Sequence, residues 1–135
     1  MSGFSIFDVA GSALAAQSVR LNTVASNLAN ADAVAGSPEA VYRAREPVFE
    51  TAPIDGDPGT AGVRIAAVRE SEAEAVKRYA PGHPLADPQG YVYAPRIDAV
   101  EQMVNMISAA RSYQANVEVM NAARDLTLRT LAMGR

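Results

Sequence analysis

The only imidazole in the chain is His83, with Asp87 four residues on and Tyr79 and Tyr91 to either side, a set that could in principle move a proton. Its surroundings argue against that use. His83 stands between Gly82 and Pro84 in PGHPLADPQG, where prolines restrict the backbone and glycines turn it, and no glycine-framed nucleophile or second histidine joins it. A structural turn is the expected role. Glu70, Glu72 and Glu74 could serve a cation or an acid–base step, but acids alternating along an extended segment are what a solvated strand or turn shows. With no cysteine and one histidine, disulfides, thiolate chemistry and an ordinary zinc site are excluded. No cofactor motif is present. The small-residue run Gly11, Ser12, Ala15 and Ala16 suits close helix approach rather than a phosphate cradle. Met103, Met106 and Met120 fall at helical spacing, where packing is the expected role.

The 135 residues are enough for one domain, 49% apolar and 20% charged, and aromatics at 6% leave packing to small and aliphatic side chains. A net charge of −3 without a basic cluster argues against a nucleic-acid partner. No stretch has the apolar length to span a bilayer, so the chain is expected not to be membrane-inserted. Ala13-Leu14-Ala15 is a passable cleavage tripeptide, yet no positive residue precedes Arg20 and cutting there would split a helical pattern, so no cleaved signal is expected.

Charge and proline divide the chain in three. Residues 1–36 carry only Asp8, Arg20 and Asp32; residues 37–96 hold all eight prolines; residues 97–135 again have none. Phe7, Ala10, Leu14, Gln17, Leu21, Val24, Leu28 and Ala31 form a heptad seam that predicts a coiled-coil-like helix over about residues 5–31. After Pro95, Asp98 is a candidate cap with Glu101 three places on, and Met103, Met106, Ala110, Tyr113, Val117, Met120, Arg124, Thr127 and Leu131 predict a second long helix over 97–132, with Val104, Ile107 and Leu128 beside the seam. Between them, 41–49 and 63–69 read as strands joined by a loop at Asp55-Gly56 and Pro58-Gly59, with shorter strands at 75–79 and 90–94. The expected fold class is α+β: two long terminal helices in a coiled-coil-like pair, with a small β-rich middle.

Two such helices cannot bury their stripes on about 60 intervening residues, so they must use each other or neighbours. Leu14, Leu21, Val24 and Leu28 can meet Ala110, Tyr113, Val117 and Met120. The amides of Asn22, Asn27, Asn30, Asn116 and Asn121 then lie on other faces, either in solvent or buried and paired, where they would specify register.

The segments SALAAQSVRLNTVASNLANAD, YRAREPVF, YAPGHPLADPQGYVYAP and MVNMISAARSYQANVEVMNAARDLTLRTL together resemble the flagellar rod and hook axial family, in its proximal-rod branch, over nearly the whole chain. There are two departures. Asp32-Ala33-Val34 stands where many axial relatives have Thr and Gly before an aromatic, and Arg96 stands where asparagine is usual. The resemblance implies a structural, non-enzymatic subunit of the rod that crosses the periplasm, without cofactor or metal, exported by the flagellar type III apparatus under an uncleaved amino-terminal signal. It implies copies of itself, FlgB- and FlgF-type proximal rod proteins, the FlgG-type distal rod protein and a FliE-type adaptor as neighbours. Terminal helices would line the tube, with the middle outside. The expected helix-pair and subunit interface comprises Leu14, Leu21, Val24, Asn27, Leu28, Asn30, Met106, Ala110, Tyr113, Val117, Met120, Asn121, Leu128 and Leu131. The alternative is a secreted helical adaptor or binding module that docks one partner in a complex of fixed size.

Overall fold

The computed structural model describes residues 3–54 and 57–134. Its two long helices are α1 (Gly3–Ala29) and α2 (Ala99–Met133). At 1.5 Å per residue these are about 40 Å and about 52 Å long. Neither contains a proline; good helix formers dominate α2, whereas α1, with Ser, Val, Asn and Thr among its residues, relies more on packing. Where α1 ends, Asn30 returns to Ser26 O through its backbone N–H at 3.1 Å and its side chain at 2.8 Å. Asp98 starts α2, its Oδ1 accepting from Val100 N at 2.9 Å and Glu101 N at 3.3 Å, which satisfies two donors that a bare helix start leaves open. Gly134 closes α2 by donating to Thr130 O at 3.2 Å.

The helices run antiparallel. Asn27, near the end of α1, meets Gln102 near the start of α2, whereas Ile6, Val9 and Ala10 share a cleft with Asn116 and Val119. Small residues are buried on both helices: Ala10 and Ala16 on α1, and Ala109 and Ala123 on α2, which packs on α1. Every described residue of α2 after Ala123 is exposed, because the helix runs on past the start of α1.

Between the helices lie two antiparallel pairs, β1 (Arg45–Ile54) with β2 (Asp57–Glu70) and β3 (Val76–Tyr79) with β4 (Tyr91–Ala94). The β1–β2 arm packs along α1 and carries register shifts at Val48/Phe49 and Pro53/Ile54. The smaller pair is tied to the exit of α1 by reciprocal bonds between Ala35 and Tyr93 at 2.8 and 2.9 Å. Ala31, Val41, Val92 and Ala94 are buried around that attachment.

The strands expected at 75–79 and 90–94 and both helices are present with ends shifted by a residue or two. The expectation of a strand over 41–49 needs correction: residues 41–44 pair with nothing in a sheet, and β1 starts only at Arg45. A 3-10 turn at Pro38–Ala40 precedes them, and they serve instead to carry Tyr42 to Asn27. The loop expected through Pro58-Gly59 is also shorter, since those residues belong to β2, while Asp55 and Gly56 lie outside the described residues.

Candidate assembly site

The amide-rich end of α1 is where helices and arm meet, and one asparagine joins them. Asn27 is 1% exposed, the largest fully buried side chain among the described residues. Its Nδ2 donates to Arg45 O at 2.8 Å and to Gln102 Oε1 at 3.1 Å; its Oδ1 accepts from Arg45 N at 2.8 Å and from the Tyr42 hydroxyl at 3.0 Å. A primary amide has two donors and two acceptor lone pairs, so its capacity is filled. A leucine of similar size would bury equally well but leave Gln102 and both backbone groups of Arg45 without this partner, which is why an amide stands here. The other asparagines differ: Asn22 and Asn121 are exposed, Asn30, just past α1, bonds back to Ser26 O, and Asn116 bonds back to Ser112 O in its own helix. Farther along α1, Ser12 Oγ donates to Val9 O at 2.7 Å and accepts from Val63 N at 3.1 Å, a second link between helix and arm. Among the described residues Gln17 Oε1 is a buried side-chain oxygen without a hydrogen-bond partner.

Of the residues expected at the interface, Val24 and Asn27 are buried; Leu14, Leu21, Leu28, Asn30, Met106, Ala110, Val117 and Met120 are half-buried; Tyr113, Asn121, Leu128 and Leu131 are exposed in the single chain. The α2 face against α1 is centred on Gln102, Ala109 and Ala123, one residue before the expected spacing of Met103, Ala110 and Arg124. The half-buried Met106, Ala110, Val117 and Met120 of the expected seam flank these positions, and the deepest places on the face go to small or polar residues. The signal was present in Ala109 and Ala123, fourteen residues apart and thus two heptads on one face. Gln102 and Ser12 were missed because each acts on a partner distant in sequence.

The residues with chemical potential are occupied by local structure. His83 Nδ1 accepts from Leu85 N at 3.1 Å, and Asp87 Oδ1 accepts from Gln89 N and Tyr91 N, both at 2.9 Å. These bonds, the Tyr91 amide first, with further help from the Gln89 amide, the Tyr93 hydroxyl and nearby Lys77, hold the Asp87 carboxyl below its ordinary range against a smaller opposing effect of desolvation. Glu70 pairs with Arg45 at 3.4 Å, and Glu50 pairs with Arg64. Among the described residues no three acidic, histidine or cysteine side chains gather into a metal-holding group, and no helix is long and apolar enough to cross a membrane.

Two family models match. Residues 7–36 fit the flagella basal body rod protein family, and residues 89–133 fit the flagellar basal body rod FlgEFG protein C-terminal family. Asn27 lies in the first segment and Gln102 in the second, so their bond joins the two. The flagellar basal-body rod protein FlgC of Salmonella typhimurium is 53% identical over 137 residues, covering 100% of both chains. The protein of that name in Yersinia enterocolitica is 52% identical over 135 residues, again covering 100% of both, and one from Buchnera aphidicola subsp. Acyrthosiphon pisum is 38% identical over 98% of each. With identity this high from end to end, and both helices matched separately as rod segments, the chain belongs to the FlgC family of flagellar basal-body rod proteins.

Proposed function

We propose that the chain is a non-enzymatic structural subunit of the flagellar basal-body rod, whose terminal helices pack against other rod subunits to build the wall of a torque-bearing shaft. The observation that carries this reading is the uncovered apolar surface of α2. Among the described residues, ten of the fourteen exposed large apolar side chains lie on that helix. Val100, Met103, Val104 and Ile107 recur at i, i+3, i+4 and i+7, on the side away from Gln102 and Ala109. An apolar stripe of this kind favours coverage by another protein.

The outer face of α1 suits such a neighbour. Gly11, Ala15, Ser18, Asn22, Ala25 and Ala29 fall at spacings of four and three, and none is charged. A Cβ added at Gly11 meets nothing within 4 Å. Glycine inside a helix costs about 1 kcal/mol relative to alanine, and this chain's own packing does not require it. A helix from another subunit approaching closely would.

In this reading Val24 and Asn27, with the half-buried Leu14, Leu21, Leu28, Met106, Ala110, Val117 and Met120, serve mainly the helix pair, and Asn30 its exit. Tyr113, Asn121, Leu128 and Leu131 face other subunits. Segments 1–36 and 97–135 build the tube, and 37–96 lies outside it. The neighbours are copies of the chain, the other proximal rod proteins, the distal rod protein and the adaptor at the rod base. The chain reaches the periplasm through the flagellar type III apparatus with its amino terminus uncleaved. Cryo-electron microscopy of purified basal bodies tests this directly: α1 and α2 are expected in the wall of the rod. Finding the chain instead in a complex of fixed size away from the axis would overturn it.

A further inference from the structure

Among the polar contacts by which the β1–β2 arm meets α1 are those of Ser12 and Asn27, separated along the helix by about 22 Å at 1.5 Å per residue. At one end Asn27 holds both backbone groups of Arg45, the first residue of β1. At the other, the Ser12 hydroxyl accepts from Val63 N in β2. This second approach is close: a Cβ on Gly62 would sit 2.6 Å from Ser12 Oγ and 2.8 Å from Ile54 Cδ1, a spacing that glycine alone permits without movement. Apolar burial under the arm is thin, since Thr60 is the one buried side chain among the described residues of its two strands. One directional contact is a pivot, whereas two spaced contacts set a direction.

We propose that Ser12 and Asn27 are positioning residues that mount the β arm at a set angle on α1, so that the chain itself, not its neighbours, aims the arm. The value of that aim to a rod rests on the structural-subunit reading, but the mount does not. The chain has no cysteine, so nitroxide pairs can be introduced cleanly. Thr51→Cys with Ser108→Cys reports on arm against helices, and Ala25→Cys with Gln114→Cys reports on the helix pair; all four positions are exposed. Spin–spin distance distributions are measured on the full chain in the wild-type background and with Ser12→Ala, Asn27→Ala and both.

The wild-type background should give one narrow arm distribution, broadened about twofold in each single variant and more in the double, while the helix-pair distribution and helix content hold. An unchanged arm distribution in the double variant overturns the proposal, and so does a broad one in the wild-type background. Equal broadening of both pairs also overturns it, since Asn27 would then be a general fold residue. Ser12→Ala leaves the Asn27–Gln102 bond in place and decides the matter alone if Asn27→Ala does not fold. Absence of the wild-type chain from the rod wall would remove the structural-subunit reading and leave the mount standing.

Discussion

Replacing Asn27 by aspartate changes one nitrogen to oxygen and keeps the shape, so it isolates what the amide's donors contribute. Asn27→Asp retains acceptance from Tyr42 and Arg45 N but loses donation to Arg45 O and Gln102 Oε1, and it sets an ionised oxygen where 2.8 and 3.1 Å contacts to oxygen existed. Two lost bonds account for about 2 kcal/mol, and a carboxylate at this depth with no counter-charge and one oxygen facing acceptors adds a further penalty of about 1–3 kcal/mol. For a chain of this size each kcal/mol moves the melting temperature by about 4 °C, so a drop of about 12–20 °C is expected near neutral pH. The pH dependence carries the sign. Burial and two facing acceptors favour the protonated carboxyl, so the folded-state pKa lies above the unfolded value of about 4. The neutral form donates one bond, so the penalty is smallest below the unfolded pKa and grows as pH rises through the folded one. Thermal melts of Asn27→Asp between acid and neutral pH, each referenced to wild type, measure this. A variant within about 2 °C of wild type at neutral pH, or one that gains relative stability as pH rises, would refute the account of Asn27 as a filled four-bond junction.

Gly11→Leu should leave the isolated chain as stable as wild type or slightly more so, since its Cβ position is open, yet block rod incorporation; normal motility would remove the outer α1 face from the proposed interface. Ala109→Leu should cost about 1–3 kcal/mol by overpacking the helix seam, and Ala110→Leu clearly less; equal costs in urea melts would contradict the observed α2 face. The Asp87 carboxyl, held below its ordinary range mainly by the Tyr91 amide, contributes stability that is present above the unfolded pKa and lost as pH falls through the lower folded one. Faster amide exchange at Gln89 and Tyr91, after correction for intrinsic rates, is therefore expected in Asp87→Asn at neutral pH; unchanged exchange would show the turn to be held by other means.

Much of this architecture was legible in the sequence. Proline placement separated the helices from the strands, and the Asp98 cap and the Gly134 stop marked α2 because both act through local backbone bonds. The deepest positions of α2 were not legible because spacing alone does not say whether large or small residues are enclosed most, and Ala109 and Ala123 are buried while Met106, Val117 and Met120 are only half-buried. The fate of the five amides could not be divided from periodicity. Asn27 stands in α1 and Asn30 just past its end, three residues on, yet one is enclosed by Gln102, Tyr42 and Arg45 while the other returns to the backbone of α1. The antiparallel pairing of α2 brings Gln102 to Asn27, and the folded path of residues 41–45, which the pattern read as strand, brings Tyr42 and Arg45.

The unequal length of the helices bears on the last turns of α2, which pass beyond Ala123 with Leu126, Leu128, Leu131 and Met133 all open to water. If these turns lie against another subunit, as proposed, their shelter arrives with the adjoining member of a stack, and the terminal member has none. Such a stack is therefore least rigid at whichever extremity displays these turns, and stiffens there each time another member is added.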